Sequence, residues 1–77
     1  MKVILYATST WTWCIKVKSY LNSKNVDFEE VNVSEDRVAA MGMVNKSHSR
    51  GVPVIEVNGD IVVGYDVNAI NSLLGIS

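Results

Sequence analysis

The sequence predicts an α/β fold: a four-stranded mixed sheet in β-α-β-α-β-β-α order, with helices on both faces. Three observations predict it. A short apolar run opens the chain and leads into a helical pattern. The same strand-then-helix alternation repeats once. Asn58-Gly59 then separates two further apolar runs, the signature of a tight hairpin, before a last helical stripe.

The first strand is read at Lys2 to Tyr6. Its apolar, β-branched residues show no polar alternation, which suits a central strand buried on both faces. Ser9, Thr10 and Thr12 are candidate caps for a helix from about Thr12 to Lys24, in which Cys14, Val17 and Leu21 recur at spacings of three and four and so share one face. Asn25 suits the stop, since asparagine tolerates the left-handed conformation that ends many helices. Phe28 to Val33 reads as a second strand, and its two glutamates place it at an edge or half exposed. Ser34 is the expected cap of a helix over Glu35 to Asn45, with Val38, Met41 and Val44 facing inward.

Residues 45–51 are polar and loop-like. Pro53 precedes a strand over Val54 to Val57, and Asp60 to Val63 is its hairpin partner across Asn58-Gly59, a pair suited to the positive φ that a type I′ turn needs at both positions. Gly64 breaks that strand. Asp66 caps a last helix whose stripe is Val67, Ile70, Leu73 and Leu74, and Gly75 ends it. The first two strands, joined through a helix, are expected to be parallel with a right-handed crossover.

Length and composition narrow the function classes. Seventy-seven residues suit a single domain over residues 1–77. A net charge of −1 supplies no basic field for nucleic acid or anionic lipid. The apolar start is too short for a membrane span or a signal peptide. One cysteine cannot form an intramolecular disulfide, so a reducing, cytoplasmic setting is expected. His48 sits in a polar loop with no partner spacing that would make a zinc site.

The stretch Thr8-Ser9-Thr10-Trp11-Thr12-Trp13-Cys14 is the unusual one. It joins strand to helix and holds the only cysteine and both tryptophans. Two readings of Cys14 stand side by side. As part of the Cys14-Val17-Leu21 stripe it is a small buried apolar residue, slow to react. As a thiol near a helix start it could serve as a slow monothiol, because N-terminal N–H groups favour a thiolate.

Three segments carry a resemblance that spans essentially the whole chain. Cys14-Ile15-Lys16-Val17-Lys18-Ser19-Tyr20-Leu21, Arg50-Gly51-Val52-Pro53-Val54 and Gly64-Tyr65-Asp66, taken with the order of elements, resemble a glutaredoxin, the small form of the thioredoxin fold. Glutaredoxins typically carry Cys-Pro-aromatic-Cys at the start of the first helix. Matching through Lys16 to Leu21 sets Cys14 at the second cysteine, Trp13 at the aromatic, Thr12 at the proline and Trp11 at the nucleophilic cysteine. Tyr6, five residues earlier, matches the tyrosine that ends the family's first strand. A rival register makes Cys14 the first cysteine, in a Cys-x-x-Val form, at the expense of the helix match. Tryptophan is one base from cysteine and from the opal codon that some organisms read as selenocysteine. Trp11 is therefore either a divergence that removed redox chemistry or a substitution for cysteine or selenocysteine.

The resemblance implies glutathione as co-substrate, with no covalently bound cofactor and no metal. Pro53 would follow a cis bond, and Val52 would hold the cysteinyl part of glutathione through its N–H and C=O. The N–H groups of Tyr65 and Asp66, after Gly64, would receive the γ-glutamyl carboxylate, and Asp66 its ammonium; Thr12 and Trp13 would border the same site. The basic and polar residues that meet the glycyl carboxylate in the family fall on Thr8 and Ser49, with Arg50 and Lys46 nearby. Iron–sulfur binding in the family uses the first cysteine, which this chain lacks. Two functions follow. One is a glutathione-dependent thiol–disulfide oxidoreductase acting on disulfide-containing proteins, electron-transporting by resemblance and impaired by Trp11. The other is a non-catalytic module that binds glutathione or an extended peptide in the Val52-Pro53 groove.

Overall fold

The computed structural model describes residues 1–76. The elements run β1 (Val3–Ala7), α1 (Thr12–Ser23), β2 (Glu29–Asn32), α2 (Arg37–Ser47), β3 (Val54–Val57), β4 (Asp60–Val63) and α3 (Val67–Leu74). They form one mixed sheet in the order β2-β1-β3-β4. β1 pairs parallel with β2 (Leu5 opposite Glu30) and antiparallel with β3 (Leu5 opposite Ile55), and β3 pairs antiparallel with β4.

β1 is buried along its whole length, because period-two alternation sends its side chains into two different cores. Val3, Leu5 and Ala7 pack with Cys14, Val17 and Leu21 of α1 and Ile70 and Leu74 of α3. Ile4 and Tyr6 pack on the opposite face with Met43 of α2 and Val54. One strand thus nails α1 and α3 to one side and α2 to the other. Each fully buried aliphatic side chain here contributes about 1.5–3 kcal/mol of transfer free energy. The two glutamates of β2 stay exposed at the sheet edge.

Punctuation residues behave as their chemistry directs. Asn25, just past α1, has φ 57°; Asn58 and Gly59 have φ 50° and 93° in the β3–β4 turn; Gly75 ends α3 at φ 72°. The Asp66 carboxylate accepts from the Ala69 N–H at 3.1 Å at the start of α3. α1 and α3 are further tied by a hydrogen bond from the Tyr20 hydroxyl to Asn71 Oδ1.

α2 corrects the sequence expectation twice. Its cap is Asp36, whose side chain accepts from the Ala39 N–H at 3.0 Å, and not Ser34. Ser34 is held in the preceding turn, where its N–H and hydroxyl both donate to Asn32 Oδ1. The helix therefore begins at Arg37, and the inward stripe is built on Met43 with Ala40, Val44 and Ser47 half buried around it. Val38 and Met41, expected inside, are 81 % and 61 % exposed. α1 carries a third correction: its N-cap is Trp11, which makes no side-chain capping bond, and none of Ser9, Thr10 or Thr12 fills that role.

Candidate functional site

The site forms where the β1–α1 loop, the loop before β3 and the β4–α3 turn meet. The Val52–Pro53 peptide bond is cis. Pro53 is buried and its carbonyl accepts from the Gly64 N–H at 2.8 Å, which holds the loop before β3 against the turn before α3. Gly64 has φ 83°, a left-handed conformation that a side chain would resist. Trp13, Val52, Pro53, Gly64 and Tyr65 together line an open cleft of about 330 Å³. Five residues expected from three separate segments are thus brought together. The Trp13 and Tyr65 rings lie 6.2 Å apart at 38° and form one wall.

A second cleft lies on the other side of Val52. It is lined by Thr8, Thr10, Trp11, Arg50, Gly51 and Val52. Val52 is therefore a divide between two grooves. No hydrogen bond among the described residues uses its N–H or its C=O. Both groups remain available to an extended ligand, as the edge of a sheet is to an added strand.

Trp11 and Cys14 separate sharply in environment. Trp11 is the N-cap of α1, with extended backbone (φ −78°, ψ 127°), and its indole is 52 % exposed beside Arg50 and Val52. Its carbonyl accepts the first helical hydrogen bond, from the Ile15 N–H at 3.1 Å. Cys14 is a free thiol, 2 % exposed, inside the core shared by α1, α3 and β1. α2 and α3 each begin with an aspartate that caps a first-turn N–H; α1 has no such side-chain partner, so its N-terminal donors face the Trp11 position uncapped.

Two expected residues stand apart from the cleft lining. Thr12 is exposed on the first turn of α1, and Asp66 directs its carboxylate to the α3 cap, although the N–H groups of Tyr65 and Asp66 take part in no hydrogen bond among the described residues. Ser49 is turned inward on its own loop, where its hydroxyl meets the Gly51 N–H at 3.1 Å. Arg50 and Thr8, not Ser49, border the Trp11 groove. Sequence reasoning passed over Lys16, whose ammonium lies 4.6 Å from the Trp13 ring centre. The signal was present as an aromatic and a lysine three residues apart on a helix. Among the described residues no group of three or more His, Cys, Asp or Glu is gathered to hold a metal, and no helix is long and apolar enough to cross a membrane.

Comparison with known proteins places this geometry. The family model for glutaredoxin matches residues 3–62. A glutaredoxin-like 8.6 kDa protein of the rubredoxin operon of Clostridium pasteurianum is 44 % identical over 70 residues, 91 % of this chain and 93 % of its own. Among solved structures, a mutant of the thioredoxin-like protein BC3987 superposes with a TM-score of 0.93 at 29 % identity, covering 99 % of this chain and 97 % of its own. The glutaredoxin-like NrdH-redoxin of Escherichia coli, described as having a thioredoxin-like activity profile, superposes with a TM-score of 0.85 at 25 % identity over 95 % of both chains. With its sheet order, its paired helix faces and a family match over most of its length, the chain belongs to the glutaredoxin family.

Proposed function

We propose that this chain is a glutaredoxin-type thiol–disulfide redox module that docks glutathione, or an extended peptide, across Val52 and is impaired in the attack step. The observation that carries the reading is the contrast at α1: the exposed position at the helix start holds an indole, while the single sulfur is 2 % exposed in the core.

Thiol–disulfide exchange needs a thiolate that forms a bond to one sulfur of a disulfide while the other sulfur leaves as a thiolate; a second thiol, such as glutathione, then resolves the mixed disulfide by the same displacement. The uncapped N-terminal donors of α1 would favour an anionic sulfur at position 11. The indole of Trp11 offers neither sulfur nor a titrating group. What the chain retains is the docking geometry. The Val52 N–H and C=O pair with the cysteinyl backbone, Pro53 and Trp13 border it, and the Tyr65 and Asp66 N–H groups after Gly64 receive a carboxylate. Glutathione is then a co-substrate and not a bound cofactor, and disulfide-containing proteins are the partners. A reducing, cytoplasmic setting fits the single free thiol.

A non-catalytic binding module is the second reading, favoured by the unused backbone groups of Val52. A glutathione-coupled assay with a small mixed disulfide, run beside glutathione binding followed by backbone amide shifts, separates the two. The proposal expects shifts centred on Val52 and Tyr65, background turnover, and turnover restored by Trp11→Cys. Binding without any gain from Trp11→Cys favours the module. Turnover in the unaltered chain that disappears in Cys14→Ala overturns the impairment.

A further inference from the structure

Beside the Trp13–Tyr65 cleft runs a third, of about 550 Å³, along the outer face of α1. It is lined by Ile15, Lys16, Ser19, Tyr20, Ser23 and Tyr65. Tyr65 lines both clefts, so they adjoin at that residue. Three rings mark the path: Trp13 and Tyr65 lie 6.2 Å apart, and Tyr65 and Tyr20 6.4 Å apart, edge to face. Lys16, in the cleft lining, has its ammonium 4.6 Å from the Trp13 ring, and Lys24, outside the lining, has its ammonium 5.8 Å from the ring of Tyr20, which lines it. Among the described residues neither lysine forms a salt bridge; the ion pairs belong to Lys18 and Lys46. No carboxylate lines the cleft. Asp66 is the nearest acid in sequence to Tyr65, and its side chain is engaged at the start of α3.

We infer that this cleft receives an acidic segment of an extended disulfide-bearing polypeptide whose cysteine docks at Val52. The inference rests on the proposed function, since it needs the cysteine held at that groove. Each ring-to-ring step is about two residues of extended chain, at ~3.3 Å per residue. Trp13 and Tyr20 are two such steps apart, so two acidic side chains about four positions apart in the segment reach Lys16 and Lys24, and apolar parts of the same segment lie on the rings. Glutathione, a tripeptide docked at Val52 with its carboxylate at the Tyr65 and Asp66 N–H groups, reaches no further than Tyr65 at the edge of the cleft. The groove at Val52 then serves every thiol substrate, and the α1 cleft selects polypeptides by charge.

The experiment uses the intact chain with short blocked peptides carrying an S-methylcysteine, which docks without exchange. Three peptides differ only in flanking residues: Asp at both positions, Ser at both, or Lys at both. Binding is measured by calorimetry and by the Trp13 indole N–H signal, at low and at high salt. The acidic peptide is expected to bind about tenfold more tightly than the neutral one, the reach of two exposed ion pairs, with the advantage shrinking in salt. The double variant Lys16→Glu/Lys24→Glu is expected to prefer the Lys peptide and to bind glutathione as the parent does. Equal affinity for the acidic and neutral peptides, or an acidic preference that survives the double variant, overturns the inference while leaving glutathione binding intact. Failure of glutathione and all three peptides to bind overturns the Val52 reading together with this one. Selective uptake of adenosine 3′,5′-bisphosphate over the peptides, or self-association abolished by the double variant, assigns the cleft to a nucleotide or a second copy and also overturns it.

Discussion

Trp11 and Cys14 occupy the two ends of the first turn of α1, and the fold treats them oppositely: the indole is half exposed at the N-cap, and the thiol is sealed against β1 and α3. The N-cap position combines solvent access with uncapped backbone donors, which is what an attacking thiolate needs. Trp11→Cys is therefore expected to raise glutathione-coupled disulfide reduction on the order of 10²-fold or more over the parent, the scale on which a nucleophile matters. Its new thiol is expected to titrate below the ordinary value of about 8.5. Thiolate absorbance against pH, compared with the parent, reads the second effect independently of turnover.

Cys14 makes a complementary prediction. A thiol with no solvent contact reacts only when the structure opens locally or globally. Alkylation of native protein is expected to run roughly 10²–10³-fold slower than in denaturant, at a rate that follows the opening equilibrium. Cys14→Ser is expected to destabilise by about 1–3 kcal/mol, because it places a hydroxyl without a partner among apolar side chains. Urea unfolding of Ser and Ala variants checks this. A Ser variant as stable as the parent, with native alkylation as fast as in denaturant, would mean that the position is solvated.

Most of the fold was legible because local chemistry and long-range packing agree. Asn58-Gly59 can take positive φ at both residues, Asp66 and Gly75 bracket α3, and the unbroken apolar run of β1 serves two cores. α2 was misread where they disagree. Val38 and Met41 are the apolar residues a periodicity argument selects, yet Asp36 sets the helix start and the sheet accepts the Ala40–Met43–Val44 row instead. The Val52, Pro53, Gly64 and Tyr65 assembly was legible only as a family pattern, since β3 and β4 lie between its halves. The α1 cleft is not legible from the helix alone, because Tyr65, which closes it beside Lys16 and Tyr20, comes from the turn before α3.

Asp66 is assigned two tasks that a pair of substitutions separates. Its carboxylate caps α3 through the Ala69 N–H, and the glutaredoxin resemblance implies that its charge would also meet the γ-glutamyl ammonium. Asp66→Ala is expected to cost about 1 kcal/mol in stability, the usual worth of a cap, and to weaken glutathione binding. Asp66→Asn keeps a capping oxygen and removes the charge, so stability should stay within a few tenths of a kcal/mol while glutathione binding falls as in the Ala variant. Thermal unfolding and calorimetry on the two variants test this. Glutathione affinity unchanged in Asp66→Asn would leave the residue with the cap alone.

A small polar network on the opposite face yields the pH prediction. Glu56 Oε1 accepts from the Tyr6 hydroxyl at 3.2 Å and from the Lys46 ammonium at 3.1 Å, joining β1, β3 and α2 at the rim of the second core. The hydrogen bond to Glu56, and then the electrostatic influence of the neighbouring Tyr6 and Glu56, raise the Lys46 pKa above its ordinary 10.5. A folded-state pKa above the unfolded one stabilises the fold while the lysine is protonated in both states, so the contribution is fully present below 10.5 and is lost as pH rises through the raised folded value. Lys46→Met removes it. The stability difference between parent and Lys46→Met is therefore expected to be flat from pH 6 to about 9 and to shrink toward zero above the ordinary lysine range. The Lys46 side chain is exposed to solvent, so the plateau should be modest and should fall with added salt. Urea midpoints of both proteins across that pH series measure it, and a difference that grows with pH would refute the linkage.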